Sequence, residues 1–364
     1  MAWSPQQDAA LKAVSAWLKA ADRPVFRLFG YAGTGKTTLA KQIAEDAPGE
    51  VAFGAFTGKA ALVLKSKGCR GASTIHSMIY RTQGDEEEET PSFVLNKKAS
   101  ANDADLIIID ECSMVDEELG RDLLSFGKPV LVLGDTAQLP PVKGGGFFTD
   151  AAPDVMLTEV HRQAADNPII RMSMTVREGG RLALGTYGDS RVIRRAEIEA
   201  PTVMQSDQVL VGINKTRRAY NGRMRTLLGH AGDKPEIGEK LVCLRNDKKK
   251  GLLNGGTWIV TAVHADRGAK FSFSVKPEEE GKRKPVRVGV LPAFFEGRDE
   301  EIPFAQKRES DQFDFGYALT VHKAQGSQWD DVVLFDESFA FREHSARWLY
   351  TGLTRAAKTV TVVV

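Results

Sequence analysis

The chain has 364 residues, which is enough for two or three domains with separate hydrophobic cores. Hydrophobic residues make up 42% of it and charged residues 27%, as in water-soluble globular proteins, which argues against a disordered or membrane-embedded chain. The net charge of +1 excludes a bulk excess of positive charge as the means of binding nucleic acid, but it allows a local basic groove.

The cysteines and the apolar runs exclude further classes. Cys69, Cys112 and Cys243 are scattered and form no C-x-x-C pair, so the sequence suggests neither a zinc site nor a disulfide framework. We find no signal peptide and no apolar run of membrane-spanning length. We therefore expect a soluble protein of the cytoplasm, in a bacterial or phage-infected cell, with no membrane partner.

The first element is a predicted helix within residues 3–20, where apolar side chains recur at helical spacing. Ser4 and Pro5 suit its N-cap and first turn. Gln7 lies close to this helix start and, from the residues alone, is a capping or surface side chain.

Residues 30–37 read G-Y-A-G-T-G-K-T, the pattern of a phosphate-binding loop. The loop follows a strand-like run and opens a helix-like one, so its glycine N–H groups and the helix N-terminus are expected to face phosphate oxygens. Lys36 would bridge the β- and γ-phosphates, and the Thr37 hydroxyl would be a Mg²⁺ ligand. The predicted nucleotide contacts are Gly33, Thr34, Gly35, Lys36, Thr37 and Thr38. The pattern predicts an NTPase; the alternative is a chance glycine-rich turn.

A second buried strand is predicted at 51–56, and polar residues follow it. Taken alone, Thr57, Lys59 and His76 would be ordinary surface side chains. Residues 82–104 then interrupt the α/β rhythm with a polar, acidic stretch around a short β-prone segment. We expect a small insertion there, in the form of a hairpin rather than a disordered linker, with Phe93 either exposed at its tip or packed back onto the domain.

Two further buried strands deliver polar side chains to their carboxyl ends. The apolar run 106–109 ends in Asp110 and Glu111, and the run 130–133 leads to Gln138. Asp110 would hold Mg²⁺ through its water shell, and Glu111 would accept a proton from the attacking water or orient it. Gln138 could hydrogen-bond both the γ-phosphate and that water. Alternating strands and helices through residue 150 predict a parallel sheet with right-handed crossovers.

A second α/β segment follows, with its clearest strand at 208–214. Residues 235–310 alternate short β-prone runs with turn residues, which predicts an all-β insertion, most simply a small barrel. The basic runs 248–250 and 282–284 lie in this part of the chain and are first interpreted as solvated loops. The α/β pattern returns at Phe315 and ends in the strand 359–364.

In this order the motifs resemble those of superfamily 1 DNA helicases, in the RecD/Dda/Pif group that moves 5′ to 3′. The resemblance covers nearly the whole chain. It is carried by Gln7, the phosphate loop and the blocks FTGKAA (56–61), TIH (74–76), DE (110–111), GDTAQLPPV (134–142), LTEVHR (157–162), ALTVHKAQGS (318–327) and LYTGLTRA (349–356). The last two blocks are highly specific jointly.

The resemblance implies an α/β fold of two RecA-like P-loop NTPase domains with parallel sheets, plus a small β-barrel inserted in the second domain. The implied boundaries are 1–152 for the first domain, 153–234 with 312–364 for the second, and 235–311 for the barrel. Residues 82–104, in the first domain, would be a strand-splitting pin with Phe93 as its wedge.

The resemblance also implies roles for particular residues. Gln7 would contact adenine, and Gly326 would take part in holding the nucleotide. Arg162 and Arg355 would be arginine fingers reaching the γ-phosphate, although without the family each would be interpreted as a surface salt-bridge partner. The side chains implied to line the single-strand track, besides Phe93 at the fork, are Thr57, Lys59, His76, Thr320, His322 and Ser327.

The expected activity is therefore ATP- and Mg²⁺-dependent unwinding of DNA, with translocation 5′ to 3′ along the single strand. The expected partners are single-stranded and forked duplex DNA and replication or recombination proteins, bound by a monomer. One alternative is a DNA-stimulated ATPase or translocase that remodels protein–DNA complexes without unwinding on its own. Another is a P-loop ATPase that remodels proteins, which would leave the block at 320–327 unexplained.

Overall fold

The computed structural model describes residues 3–83, 92–96, 98–141, 145–159, 166–247, 249–278 and 284–364. Within these ranges the α-helices are Pro5–Ala20, Lys36–Asp46, Gly58–Ser66, Ile75–Ile79, Ser100–Asp103, Glu117–Leu124, Pro168–Arg177, Ala200–Gln205, Asn214–Leu227, Phe304–Glu309 and Ser345–Leu353. Not one of these described helices has the length and apolarity needed to span a bilayer. The strands form three large sheets and one hairpin.

The first sheet has six parallel strands, as its continuous apolar runs predict. Their spatial order is Ser73–Thr74, Val51–Ala55, Leu106–Asp110, Val130–Gly134, Val25–Gly30 and Val155–Leu157. Helices cover both faces, and two apolar clusters, one around Leu28 and one around Ile109, fill the space between sheet and helices. Because parallel strands end at the same edge, the phosphate loop and Asp110 meet there.

The second sheet also has six strands, five of them parallel and one antiparallel at the edge. Their spatial order is Ala318–Thr320, Gln208–Val211, Trp329–Phe335, Ala356–Val363, Ser190–Ile193 and Gly185–Tyr187. A mixed α/β fold with parallel sheets, as predicted, is therefore confirmed.

The third sheet is antiparallel and has five strands, in the order Val286–Val290, Lys270–Pro277, Thr257–Arg267, Lys240–Cys243 and Phe313–Phe315. Its fifth strand comes from just beyond the predicted limit at residue 311. Asp311 links the two outer strands, since its N–H donates to the Gly289 carbonyl at 2.9 Å and its carboxylate accepts from the Gly289 N–H at 2.8 Å.

The predicted hairpin in the first domain is present as backbone: Tyr80–Gln83 pairs antiparallel with Ser92–Leu95. The side chain of Phe93 and residues 84–91 lie outside the described part of the chain, as does Arg162. The strand 92–95 is thus confirmed, and the wedge role of Phe93 stays a prediction.

Buried ion pairs hold the third sheet against the second. Glu239, which is 0% exposed, accepts two hydrogen bonds from Arg225, at 2.6 and 3.0 Å, and a third from the Glu236 N–H at 2.8 Å. The Arg225 guanidinium also lies 4.0 Å from the centre of the Phe315 ring. Charges placed this deeply depend on their partners, because the low-dielectric interior cannot solvate a lone ion.

Replacing Glu239 with Gln is therefore expected to lower the free energy of unfolding by about 3–5 kcal/mol, because the Arg225 charge would stay buried without a counter-charge. Urea unfolding followed by tryptophan fluorescence measures the change. The matched control is Glu117→Gln, which removes the exposed partner of Arg121 and should cost less than about 1 kcal/mol. Equal, small changes in both variants would contradict the expectation.

Candidate functional site

The phosphate loop is shaped by its glycines and by the helix that follows it. Gly33 and Gly35 have φ of 81° and 82°, values that favour glycine, and the helix Lys36–Asp46 begins directly after Gly35. The Lys36 ammonium donates hydrogen bonds to the carbonyl oxygens of Gly30 and Tyr31. The lysine is thus folded over the loop, with N–H groups and a positive charge facing the space above the helix N-terminus.

Gln7 connects the first helix to the phosphate loop. Its side-chain oxygen accepts a hydrogen bond from the Ser4 N–H at 3.1 Å, which completes a capping box with the Ser4 hydroxyl. Its side-chain nitrogen donates to the Thr34 carbonyl at 3.1 Å. The buried Gln7 therefore caps the helix, as one interpretation expected, and also lies against the loop that the resemblance assigns to the nucleotide.

A hydroxyl and a carboxylate meet next to the loop. Thr37 Oγ1 donates to Asp110 Oδ2 at 3.2 Å. Burial, and then the neighbouring Glu111 carboxylate, raise the pKa of Asp110, while the Lys36 ammonium opposes the shift. Glu111 itself has φ of 54° and ψ of 45°, a left-handed conformation that costs a non-glycine residue energy and is typical of functional sites.

The second sheet reaches this site through Tyr350, in the helix Ser345–Leu353. Its hydroxyl oxygen accepts a hydrogen bond from the Ala32 N–H at 2.9 Å and donates to Asp135 Oδ2 at 2.7 Å. Tyr350 is 1% exposed, and burial raises its pKa, so the hydroxyl keeps its proton. Burial also raises the pKa of Asp135, and Lys36 and the Tyr350 hydrogen bond act against that rise. One side chain thus joins the phosphate loop to a carboxylate at a neighbouring strand end.

Two more hydrogen bonds fix the segment after Asp135. The Leu139 N–H donates to Thr351 Oγ1 at 3.0 Å, and the Leu139 carbonyl accepts from Gln325 at 3.1 Å. Gln138 lies in the chain between Asp135 and Leu139, which are both hydrogen-bonded in this way, and it is 7% exposed. Among the described residues, its Oε1 accepts no hydrogen bond. It lines a cavity of about 230 Å³, whose other walls include Asp135 and Arg347. A buried amide oxygen without a partner is a group that a ligand or water would satisfy.

Arg355 is buried among residues that belong to the second sheet and its connecting segments. Its guanidinium donates to the carbonyls of Thr351 and Ser327, both at 3.2 Å, and to Thr354 Oγ1 at 3.3 Å. In the described part of the chain no carboxylate pairs with it, so its charge is held by neutral oxygens. The structure thus places Arg355 beside Ser327 and one turn of helix from Tyr350, without a hydrogen bond to the phosphate loop.

At a second junction, the motifs that are predicted to contact single-stranded DNA lie against each other. A Cβ on Gly326, whose φ is 74°, would lie 2.8 Å from Thr57 Oγ1, so the two motifs touch where only glycine fits. A Cβ on Gly58 would lie 2.9 Å from the Leu253 side chain, which belongs to the loop beside the third sheet. Gly326 is therefore found against Thr57 and not against the phosphate loop.

The remaining residues predicted to line the track flank this junction. Lys59 is 4% exposed, with its ammonium 4.4 Å from the centre of the Trp329 ring. His76 lies edge-on to Phe56, and His322 packs against Phe341 with ring centres 5.3 Å apart. Burial lowers the pKa of both histidines, which favours neutral rings. Thr320, at the end of the strand Ala318–Thr320, and Ser327, just before the strand Trp329–Phe335, are both buried.

Several residues of the site were missed by sequence reasoning. Tyr350 and Gln325 stand in motifs that were recognised, but no role was given to them. Asp135 follows a buried strand just as Asp110 does, and that signal could have found it. Arg177, whose guanidinium lies 3.8 Å from the centre of the Tyr31 ring in the phosphate loop, gives no comparable signal in sequence.

Family comparisons agree with this arrangement. The model of the AAA domain matches residues 2–197, which is more than half of the chain, and the model of the UvrD-like helicase C-terminal domain matches residues 315–363. The first match covers all strands of the first sheet and two edge strands of the second, and the second match covers three further strands of the second sheet.

The chain is similar to named helicases. It is 32% identical to the ATP-dependent RecD2 DNA helicase of Deinococcus radiodurans over 90% of this chain, but spans only 45% of that protein. It is 26% identical to the ATP-dependent DNA helicase Pif1 of Bdellovibrio bacteriovorus, over 90% of this chain and 81% of that one. Its fold resembles a crystal structure of Bacteroides Pif1 with ADP-AlF3 and single-stranded DNA, with a TM-score of 0.58, 18% identity, and coverage of 99% of this chain and 92% of that one.

The Tyr350 hydrogen bonds predict a stability effect that is independent of any activity. Tyr350→Phe should lower the free energy of unfolding by about 1–3 kcal/mol, because a buried carboxylate and a buried N–H lose their partner. Urea unfolding measures the change. The matched control is Tyr187→Phe, whose hydroxyl bonds the Ala183 carbonyl in an exposed position and should matter little. A Tyr350→Phe protein as stable as the control would show that the junction does not depend on this hydroxyl.

Proposed function

We propose that this chain, which belongs to the AAA domain family and to the RecD/Pif-like helicases of superfamily 1, is an ATP-dependent DNA helicase that moves 5′ to 3′. The strongest support is the connection through Tyr350 between the phosphate loop of the first sheet and the helix of the second. A motor that steps along a strand needs its nucleotide site to sense the relative position of two bodies, and this contact joins them.

The nucleotide is proposed to lie over the helix N-terminus at Lys36. The loop residues Gly33, Thr34, Gly35, Thr37 and Thr38 would provide N–H groups and hydroxyls to the phosphates. The Lys36 ammonium, now on two carbonyl oxygens, would exchange them for phosphate oxygens, a charge-assisted contact that is stronger than the neutral one it replaces. Gln7, already against the loop, would contact adenine.

Thr37 is the proposed direct ligand of Mg²⁺, and Asp110 is proposed to hold the ion through its water shell. The fit is one of donor chemistry: a hydroxyl and a carboxylate oxygen are 3.2 Å apart, and both are the hard oxygens that this ion prefers. When bound, Mg²⁺ neutralises charge on the β- and γ-phosphate oxygens. The Lys36 ammonium would add positive charge to the same phosphate oxygens.

Glu111 and Gln138 are proposed to act on the attacking water. Glu111 directly follows the strand end at Asp110 in a left-handed backbone conformation, and Gln138 has a buried oxygen available for a hydrogen bond. Glu111 would accept the proton, and Gln138 would orient the water and the γ-phosphate.

Arg355 and Arg162 are the proposed arginine fingers. A buried guanidinium without a carboxylate is costly unless an anion is bound at some stage of the cycle, and this supports the role of Arg355. Since Arg355 bonds only its own domain's oxygens, closure of the two domains would have to bring it to the γ-phosphate. Fingers of this kind supply about 10³–10⁵ in rate.

The single strand is proposed to run over the junction between Thr57 and Gly326. Small hydroxyl groups and N–H groups at helix starts suit phosphate contacts, which position a strand without reading its sequence. The side chains proposed to line the track are those of Thr57, Lys59, His76, Thr320, His322 and Ser327. Gly326 would contribute to nucleotide binding, as proposed, only if this junction moved towards the phosphate loop.

The proposed domains are 1–152, then 153–234 with 312–364, and the insertion 235–311. We propose that the five-stranded third sheet curls into a small barrel, supported by the Asp311–Gly289 hydrogen bonds between its outer strands. The loop at Leu253 would bring this insertion beside the strand path at Gly58. Gripping of duplex DNA at a fork is the corresponding proposed role.

The direct test is unwinding of two partial duplexes, one with a 5′ single-stranded tail and one with a 3′ tail. ATP-dependent strand separation is expected only with the 5′ tail. Lys36→Ala is the blank, because loss of the phosphate-binding ammonium should abolish ATP hydrolysis.

Other outcomes have distinct meanings. Unwinding of only the 3′-tailed duplex would keep the helicase and reject the direction. No unwinding, with ATP hydrolysis still stimulated by single-stranded DNA, would indicate a translocase that depends on a partner to separate strands. No stimulation by DNA at all would reject the proposed function.

Phe93 offers a separate prediction for the hairpin. Phe93→Ala should reduce unwinding while sparing DNA-stimulated ATP hydrolysis, because a wedge separates strands but does not take part in hydrolysis. Val94→Ala, at the next position of the same strand, is the control for hairpin integrity. Equal loss of both activities in the Phe93 variant would reject the wedge.

A further inference from the structure

An exposed aromatic side chain lies at the carboxyl edge of the second sheet. Val211 pairs with Thr320 and Leu210 with Leu334, so the loops after these three strands leave the sheet at one edge. His322, a proposed strand contact, lies in one of these loops. Phe339 lies in another, the segment that follows Phe335 and turns into the helix Ser345–Leu353.

The segment that carries Phe339 is held firmly at its start. Glu337 Oε2 accepts hydrogen bonds from the Gly212 N–H at 2.6 Å and the Ile213 N–H at 3.1 Å, and Glu337 Oε1 accepts from Thr216 Oγ1 at 2.6 Å. A carboxylate with three such donors anchors the segment to the neighbouring strand end and the helix that follows it.

The segment is also held just after Phe339. The Phe341 ring stacks on Trp348 with centres 5.5 Å apart, and its other neighbour is the His322 ring. Phe339 therefore lies between two anchored points, two residues before the Phe341 ring that packs against His322, which the strand is proposed to touch. The backbone that carries the Phe339 ring is thus ordered before a flat partner stacks on it, which lowers the entropy cost of binding.

Phe339 itself is 78% exposed, more than any other large hydrophobic side chain in the described ranges. A single exposed apolar side chain is ordinary on a protein surface and would need no explanation alone. Here it is flanked by a strained backbone, since Arg342 has φ of 46° and ψ of −117°, and strain of this kind persists only where the surroundings impose it.

Charges of both signs lie near Phe339 in the chain, where Asp336, Glu337 and Glu343 accompany Arg342 and Arg347. Arg342 and Arg347 are exposed, and neither forms an ion pair with any other residue that the structure describes. Of these carboxylates, Glu337 accepts three hydrogen bonds and Asp336 accepts one from the Ser338 N–H at 2.9 Å, while Glu343 is exposed. An exposed ring followed in the chain by two exposed guanidinium groups is a combination with which proteins bind unpaired bases and their phosphates.

We propose that Phe339 is a base-stacking residue of the second domain, with one unpaired nucleobase lying on its ring and Arg342 near the adjacent phosphate. The proposal rests on the proposed function, because it extends the strand path past His322. Since every base has a flat face, the contact would be tolerant of sequence and would grip the strand by stacking. The segment continues to His344 and Arg347 at the cavity of Gln138, so a base held here is connected to the nucleotide site.

The test compares two oligonucleotides of equal length, a fluorescein-labelled thymidine strand and the same backbone with every base replaced by an abasic residue. Binding is measured by fluorescence anisotropy for the wild type, Phe339→Ala and Phe339→Trp. Phe339→Ala should weaken binding of the thymidine strand by about 5- to 150-fold, because one stacked base is lost. Phe339→Trp should bind it as the wild type does, and the abasic strand should not distinguish the three proteins.

Phe304→Ala is the matched control, since Phe304 is also partly exposed but lies in the helix Phe304–Glu309. It should leave binding unchanged. Unaltered binding of the thymidine strand by Phe339→Ala would overturn the proposal, and so would an equal loss on the abasic strand, which would indicate a structural role. If the wild type bound neither oligonucleotide, the proposed function would fail first and this inference with it.

Discussion

The structure depends on one buried hydroxyl group. Tyr350 accepts a hydrogen bond from the phosphate loop at Ala32 and donates one to Asp135, so it satisfies two polar groups of the first half with one side chain of the second. Buried polar groups carry a large penalty when unpaired, and a fully satisfied network fixes one arrangement of its members. The relative position of the two parallel sheets is therefore specified at the point where their strand ends face the nucleotide.

This constraint extends to the residues that would perform hydrolysis. Gln138 Oε1 accepts no hydrogen bond from the residues that the structure describes, yet its position is determined, because Asp135 before it and Leu139 after it are both bonded to the second half. A movement of the second sheet away from the first must break these bonds together or carry Gln138 with it. The position of the Gln138 amide thus depends on the distance between the two sheets. In the proposed motor, a change in that distance would be coupled to ATP hydrolysis.

How well each of these features could be predicted depends on how far apart in the sequence its residues are. The phosphate loop and Asp110 were found because a local pattern fixes the loop and parallel strands end at one edge. The helix start at Ser4 was found because capping is a local rule. The Tyr350 contact joins residues that are far apart in the chain, and no local rule pairs a hydroxyl with a distant carboxylate. The exposure of Phe339 could not be predicted either, because a phenylalanine close in sequence to buried strands is normally expected to lie in the core.

Several cations of this nearly neutral chain are neutralised or enclosed inside the protein. The guanidinium of Arg225 is neutralised by a buried carboxylate, Lys59 is buried against an indole ring, and Arg355 is enclosed by carbonyl oxygens. Such groups add little to the field that a distant polyanion feels, so they would contribute little to the release of counterions from DNA. The proposed binding of DNA would then depend on exposed cations elsewhere and on a small number of positioned contacts. Stacking on the Phe339 ring would supply energy without net charge, so the proposed contact would matter more in this chain than in a strongly basic one.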